Sequence, residues 1–462
     1  MTKQQHPFTG SGPNQIYQQA LARGEFMIQQ CNGCDKHQFY PRALCKYCGS
    51  ADLDWVAASG RATVYSTSVV RQKPEDGADY NVALVDLAEG PRMLTSVGAA
   101  AVVGVGLTEF GELHGRDHME IMAEAVHHAL ADAGISKDRI DGIFGSNFND
   151  LVAPLRIAEY FGLRPRYMDG TNIGGSSFVN ALQSAAAALK LGLCDVALIA
   201  YGSNVRTRTG RGGLLGLPTV EAVYKPRYPI NGYALAAARH MYEYGTTREQ
   251  LAEVAVAARK WAQLNPAAFM RGPLTIEEVL NARRVVDPLG VRDCCLITDG
   301  GAAMILVAAD KARDFPKAPV YVLGVGAATT HNLISQMEDL TTTAVAQAAP
   351  IAFNMAGVTP KDIDLVELYD AFTINTILFL EDMGFCAKGE GGDFVSGGNI
   401  APGGSLPVNT NGGGLSCVHP GMYGMFLMIE AVQQLRGECG ERQVRDAELA
   451  ACNGNGGATN PT

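Results

Sequence analysis

From about residue 99 onward the chain repeats itself, and that repeat restricts the folds open to it. Val102-Val103-Gly104-Val105-Gly106 matches Val322-Leu323-Gly324-Val325-Gly326. Ala133-Gly134-Ile135-Ser136, followed by Ile140-Asp141, matches Ala356-Gly357-Val358-Thr359, followed by Ile363-Asp364, with the same internal spacing. Thr171-Asn172 with Gly174-Gly175 matches Thr410-Asn411 with Gly413-Gly414. The three matches are collinear, and their offsets rise only from 220 through 223 to 239. Each repeat joins a short apolar strand, an amphipathic helix and a second strand, which is α/β patterning. The body therefore reads as two βαβ-rich halves from a duplication. Met119 to Ala133 predicts a helix with Ile121, Met122, Ala125 and Leu130 on one face, stopped by Gly134. Phe178 to Leu191 is almost entirely small or apolar, which predicts a buried helix between two sheets, and Cys194 to Ala200 reads as a buried strand. Ser203 to Val291 interrupts the repeat and reads as an inserted lid, with helices near Tyr233–Tyr244 and Arg248–Leu264.

The residues before the repeat follow another pattern. Cys31-x2-Cys34 and Cys45-x2-Cys48 are separated by ten residues. Two such knuckles place four thiolates around Zn²⁺ and leave no open position, so the predicted site is structural; the alternative is four unligated thiols. Gln15 to Glu25 predicts a short helix. Arg61–Arg71 and Tyr80–Leu87 predict strands, and Pro91–Val97 a third. The expected divisions are 1–58, 59–98, 99–317 with the lid at 203–291, and 318–462.

Composition narrows the function classes. A net charge of −10 argues against general nucleic-acid binding. No apolar run reaches the length of a membrane span. Met1 to Gly12 is polar, unlike a signal peptide. A soluble cytoplasmic protein is expected, whose 11 cysteines serve as thiols or metal ligands rather than disulfides.

The paired knuckles, Phe39-Tyr40-Pro41-Arg42, Gly60 with Thr63-Val64-Tyr65, and Glu89-Gly90-Pro91 resemble the zinc-ribbon plus OB-fold modules that accompany thiolase-like enzymes on acyl-CoA substrates. An OB-fold has about five strands; two or three fit before Ala99, so the module is expected to be partial. The body resembles the thiolase superfamily, and within it the sterol-carrier-type thiolase-like proteins. The anchors are Asn172 to Ser177, Asp287-Pro288-Leu289, Asp299-Gly300-Gly301-Ala302, Tyr369-Asp370-Ala371-Phe372, Asn411 to Gly414, His419-Pro420 and Cys452-Asn453-Gly454. The resemblance implies αβαβα layers and a homodimer.

It also implies a changed site. Gly175 stands where a thiolase carries its nucleophilic cysteine, and Tyr369 where it carries the asparagine of an oxyanion hole. His419 matches the oxyanion-hole histidine, Cys452 the acid/base cysteine, and Tyr423 is an added tyrosine. A covalent acyl step needs a nucleophile; the neighbouring Ser176 would need an activating base. The coherent alternative is retro-aldol cleavage of a β-hydroxyacyl-CoA, in which an enolate leaves and no nucleophile is required. The resemblance extends to aldolases that shorten steroid side chains. Tyr369 and Tyr423 are the candidate proton-transfer groups. Since free Tyr titrates near about 10, His419 and a helix N-terminus near Gly421 are expected to lower it. Each tyrosine can also be read as packing, His419 as a satisfied loop residue, and Cys452 as a small buried residue. Asn172, Gly174, Gly175, Asp370, Asn411, Gly413 and Gly414 are candidate substrate contacts. Arg206, Arg208 and Arg211 read either as CoA-phosphate ligands or as a solvated loop. Two further readings stand: a thiolase or acyltransferase with an unconventional nucleophile, and a non-catalytic acyl-CoA or lipid carrier.

Overall fold

A computed structural model describes residues 12–59 except 22 and 24, and 62–70, 80–95, 100–147, 150–208 and 219–456. Arg211 lies outside the described residues. The chain divides into two compact units, Met1–Val97 and Gly98–Thr462.

In the first unit, helix α1 (Pro13–Leu21) precedes an antiparallel sheet of β1 (Met27–Cys31), β2 (His37–Gln38) and β3 (Leu53–Ala57), with β1 central. A second sheet is a meander of β4 (Ala62–Val70), β5 (Tyr80–Leu87) and β6 (Arg92–Thr95). Among the described residues this sheet has three strands, fewer than the five of a complete OB barrel.

The second unit begins with β7 (Ala100–Leu107), α2 (His118–Ala133), β8 (Gly142–Gly145), α3 (Ala153–Phe161), β9 (Tyr167–Asp169), α4 (Ser177–Lys190) and β10 (Val196–Ser203). The segment 203–291 holds α5 (Thr219–Ala222), α6 (Ile230–Tyr244), α7 (Arg248–Leu264), α8 (Ile276–Leu280) and the hairpin β11 (Arg284–Val286) with β12 (Leu289–Gly290). Then come β13 (Gly300–Ala308) and β14 (Val320–Val322). One sheet runs β14-β7-β13-β10-β8-β9; β13 is antiparallel to both neighbours, while β10, β8 and β9 are mutually parallel.

Period-two alternation decides what each face of that sheet touches. Ala303, Ile305 and Val307 of β13 pack with Met119, Met122 and Ala125 of α2, while Ala302, Met304 and Leu306 join the central core with Phe178 and Ala185 of α4. Asp117 caps α2 through the N–H groups of Met119 and Glu120, and Gly134 ends it in the left-handed conformation at φ 67°.

The second half supplies α9 (Val345–Ala356), β15 (Leu365–Glu367), α10 (Thr373–Asp382), α11 (Gly391–Val395), α12 (Gly424–Leu435) and β16 (Ala450–Cys452), with β15 and β16 parallel. The duplication holds in three dimensions. A side chain at Gly104 or Gly106 would strike the α2 backbone at Ala129 or Ala125; one at Gly324 or Gly326 would strike α9 at Ala352 or Ala348. Glycine at these four places lets a helix lie directly on the neighbouring backbone, β7 in the first half and the residues just after β14 in the second. The fold expected from the sequence, duplicated α/β halves preceded by a ribbon and a partial OB module, is the one observed. Among the described residues, no helix is long and apolar enough to cross a membrane.

Candidate active site and metal centre

The site forms where the two halves of the body meet. Gly175 lies in the 3-10 turn Gly174–Ser176 that leads into α4. Ser177 fixes this turn: its hydroxyl donates to the Gly174 carbonyl at 2.7 Å and accepts from the Ile173 N–H at 3.0 Å. Tyr369 follows β15, and its backbone N–H donates to Asn453 Oδ1 at 2.8 Å. A Cβ placed on Gly175 would overlap the Tyr369 ring at Cε2, Cζ and the hydroxyl. The phenol thus fills the volume that a side chain at 175 would need.

Tyr423 and His419 complete the cluster. Tyr369 Oη accepts from the Tyr423 backbone N–H at 3.1 Å, and the Tyr423 hydroxyl donates to Asn411 Oδ1 at 3.1 Å. The His419 ring stands 5.6 Å from that of Tyr369 and 5.9 Å from that of Tyr423, centroid to centroid. The first half holds the His419 loop in place. The His419 N–H donates to Thr298 Oγ1 at 3.0 Å, the Thr298 N–H donates to the His419 carbonyl at 3.2 Å, and the Tyr201 hydroxyl donates to the Pro420 carbonyl at 2.6 Å. His419 Nε2 is buried and has no partner among the described residues.

Burial dominates the electrostatics. It raises both tyrosines well above their ordinary range, because a phenolate there would lose its water. This is the reverse of the lowering expected from His419 and a helix end. Burial also pushes His419 down to about 4, so the ring is neutral and supplies no positive charge to a phenolate. Asp370 is pushed up to about 7 by burial, opposed by the N–H groups of Gly414 and Leu415, which donate to it at 2.6 and 3.2 Å.

The remaining candidates divide. Asn411 belongs to the cluster: its Oδ1 also accepts from the Gly413 N–H at 2.7 Å. Gly413 and Gly414 lack side chains where the Asp370 carboxylate lies against them, so this backbone approaches Asp370 rather than open space. Asn172 is exposed beside the Gly175 turn. The Arg206 guanidinium is engaged by Glu112 at 2.6 Å and the Ile297 carbonyl at 2.9 Å, and it lies over the Phe269 ring. The Arg208 N–H donates to the Asn204 carbonyl at 2.9 Å. Cys452 is turned toward the Leu427 carbonyl, 3.9 Å from Sγ, and burial raises its thiol, so it is not a thiolate at neutral pH. Sequence reasoning did not single out Thr298 or Tyr201, nor give Asn453 a role. Asn453 had a signal, since it stands inside the Cys452-Asn453-Gly454 anchor; the other two had none.

In the first unit, the Sγ atoms of Cys31, Cys34, Cys45 and Cys48 all lie within 4.8 Å of one another. Cys31 and Cys48 approach to 3.5 Å, and Cys34 and Cys45 to 3.7 Å. A tetrahedron of Zn–S bonds of about 2.3 Å has edges near ~3.8 Å, so the four thiols fit zinc. Two buried amides tie the second knuckle to the sheet bearing the first. Gln29 Oε1 accepts from the Gln38 side chain at 2.9 Å and from the Arg42 N–H at 2.8 Å, and Gln38 Oε1 accepts from the Lys46 N–H at 2.8 Å. With four protein ligands the centre is structural.

Comparison with known proteins agrees with this architecture. Residues 326–462 match the thiolase C-terminal domain-like family, residues 18–54 the ChsH2 rubredoxin-like zinc ribbon domain, and residues 55–107 the ChsH2 C-terminal OB-fold domain. Over 370 residues the chain is 39% identical to the acetyl-CoA acetyltransferase of Methanothermobacter thermautotrophicus, covering 77% of this chain and 96% of that protein. The chain belongs to the thiolase superfamily. Another member, the 17-hydroxy-3-oxo-4-pregnene-20-carboxyl-CoA lyase of Mycobacterium tuberculosis, is 34% identical over 74% of this chain and 92% of its own length. The solved Ltp2-ChsH2(DUF35) aldolase superposes with a TM-score of 0.72 at 32% identity, covering 79% of this chain and 97% of that one. The OB-fold match runs on through 107, past the expected division at 98 and across β7, which here belongs to the thiolase-like sheet.

Proposed function

We propose that the chain is an acyl-CoA aldolase of the thiolase superfamily, cleaving a β-hydroxyacyl-CoA into a ketone or aldehyde and a shorter acyl-CoA. One observation carries the reading: the Tyr369 phenol fills the place of a side chain at 175, so a proton-transfer group stands where an acyl-forming nucleophile would. The reaction moves one proton from the β-hydroxyl to Cα. As that proton leaves oxygen, the C–O bond becomes a carbonyl, the Cα–Cβ pair passes into the thioester enolate, and the enolate takes a proton at Cα. A phenol relays this transfer by accepting one proton as it gives up its own. It need never become a free phenolate, so a raised pKa is compatible with the role. Neutral His419, with its proton on Nε2, donates a hydrogen bond to the thioester oxygen as negative charge develops there. Tyr423 orients Tyr369 through its backbone N–H and holds its own proton toward Asn411. Asp370 carries the glycine loop beside the site.

A steroid side-chain thioester is the proposed substrate class, supported by the names of the lyase and aldolase relatives and by the ribbon and OB module on the same chain. The test is mass-spectrometric product identification from a panel of β-hydroxyacyl-CoA thioesters, including one with a tertiary hydroxyl on a steroid ring. Ketone release that collapses in Tyr369→Phe is expected; equal turnover by that variant removes Tyr369 from the mechanism.

Acyl transfer is the second reading, favoured by identity to the acetyltransferase. It would require Ser176 or Cys452 to act covalently, and Cys452 holds its proton against the Leu427 carbonyl. Radiolabelled acyl-CoA that stays on the protein through denaturation would establish this reading in place of the aldolase.

The body is proposed to form a homodimer across β9, an edge strand whose Met168 is exposed alongside Leu151 and Leu155. Light scattering should give twice the chain mass, reduced to the monomer by Met168→Glu. A cytoplasmic location fits eleven free thiols, four of them at the metal centre.

A further inference from the structure

Glu367, two residues before Tyr369, takes no part in the chemistry described so far. Its carboxyl is fully buried at the end of β15, and no cation pairs with it among the described residues. Asn409, Thr410 and Asn411 run beside it. Asn409 turns the chain in the left-handed conformation, at φ 53°, which asparagine tolerates, and its Oδ1 accepts from the Leu368 N–H at 2.6 Å. Thr410 then faces Glu367, and Asn411 receives the Tyr423 hydroxyl.

The hydrogens available at Thr410 decide where a proton sits. Thr410 Oγ1 lies 2.8 Å from Glu367 Oε1 and 2.8 Å from Glu430 Oε1. Its hydroxyl has one hydrogen and donates to one of them only. Gln434 of α12 does not fill the gap. Its Oε1 accepts from the Val444 N–H at 2.9 Å, and its Nε2 donates to the Arg442 carbonyl at 3.0 Å and to Thr410 Oγ1 itself at 3.0 Å. Two ionised carboxylates would therefore leave one oxygen–oxygen contact at 2.8 Å without a hydrogen in it. Glu430 is the ionised member, because Arg442 donates to both of its oxygens, at 2.9 and 3.0 Å. Glu367 Oε2 has no partner among the described residues, which suits the carbonyl oxygen of a neutral acid better than half of a buried carboxylate. Burial, with Glu430 beside it, also raises the Glu367 carboxyl well above its ordinary range.

We propose that Glu367 carries a proton at neutral pH and serves as a positioning residue for Tyr423. Its O–H donates to Thr410 Oγ1, while Oε1 accepts from the Thr410 N–H at 3.1 Å. Thr410 is thus held by two bonds, and the next residue, Asn411, presents Oδ1 to the Tyr423 hydroxyl. Tyr423 in turn orients Tyr369 through its backbone N–H. This role rests on the aldolase reading; the assignment of the proton does not. The same reading gives the neutral form a purpose. A charge at 367 would be felt at Tyr423, and it would oppose the developing enolate in an interior that screens charge poorly.

The test uses the full chain, labelled with carbon-13 at the glutamate carboxyl, and its infrared spectrum at neutral pH. A carboxylic-acid carbonyl band that shifts with the label and in heavy water is expected. Glu367→Gln should abolish it. Thr410→Val, which takes away the acceptor, should move it to higher frequency, so the band is assigned even if the first variant does not fold. Thr410→Val should also speed hydrogen exchange at the Gly413 amide, which Asn411 Oδ1 holds, about tenfold. It should lower kcat about fivefold or more with KM within about twofold of the parent's, and Thr410→Ser should restore both. Absence of a labelled acid band, or its survival in Glu367→Gln, overturns the proton assignment. Parent-like Gly413 exchange or kcat in Thr410→Val overturns the positioning role. The band and the exchange need no substrate, so a parent that cleaves no thioester of the panel counts against the aldolase reading and leaves these two measurements to decide the proposal.

Discussion

Gly175→Ala tests the packing beneath the proposed chemistry with a single methyl group. Gly175 does not need a left-handed backbone, since its φ lies outside that range. In open space the substitution would stabilise the chain by about 0.4–1 kcal/mol through the unfolded state. Here the new methyl lands on Tyr369 Cε2, Cζ and Oη, within a ring that is 3% exposed and cannot swing away. Overpacking of this kind costs about 1–3 kcal/mol, so the expected sign is destabilising. Tyr369→Phe removes only one of the three contacted atoms, so alanine should remain destabilising in that background. Tyr369→Asn removes the ring; there, alanine should be neutral or stabilising, giving a coupling of about 1–3 kcal/mol between the sites. Urea unfolding of the parent, the three single and the two double variants, followed by circular dichroism, supplies the cycles. If alanine at 175 stabilises the parent, or costs the same with and without the ring, then Tyr369 does not occupy the volume assigned to it.

Three further outcomes follow from the geometry. Tyr369→Phe should lower the rate of cleavage by about 10²–10⁴-fold while leaving the urea midpoint close to the parent's, which stopped-flow and equilibrium unfolding together would check. His419 and Asp370 should pull stability in opposite directions with pH. The depressed His419 contributes fully above about pH 6.5 and loses its contribution as pH falls toward about 4, whereas the raised Asp370 contributes fully below about pH 3.9 and loses its contribution as pH rises through about 7. Relative to the parent, His419→Gln should therefore gain stability on going from pH 7 to 4.5, and Asp370→Asn should gain on going from 4.5 to 7; the same trend in both variants would contradict the assignment. Chelation should release one zinc per chain, measured colorimetrically, and unfold the region of β1–β3 in hydrogen exchange, while Cys45→Ser should bind none.

Much of the body was legible because its strongest constraints are local. Gly104 and Gly106 in the first half, and Gly324 and Gly326 in the second, mark the places where a helix lies directly on the backbone. The cysteine spacing carried the metal centre in the same way. The residues clustered around Tyr369 stand among the candidates the sequence offers, yet their electrostatics do not follow from it. Whether Tyr369 is lowered or raised depends on how completely Tyr423, His419 and the Gly175 turn close around it, and these come from distant parts of the chain. Arg206 looked free for the same reason: Glu112, 94 residues earlier, neutralises it in space. Cys452 shows a subtler limit, since a one-residue shift along an extended segment changes the face a side chain occupies. Its neighbour Asn453 is the residue that reaches Tyr369.

The reciprocal hydrogen bonds between Thr298 and His419, with Tyr201 holding Pro420, mean that neither half owns the site. With those bonds loosened, each half could keep its helices and strands and still lack a positioned imidazole. Turnover therefore reads the seam between the halves, whereas circular dichroism reads the halves themselves. A substitution that loosens the seam would silence the protein while its spectrum stayed native, and damage of that kind would show in an activity screen long before it showed in a melting curve.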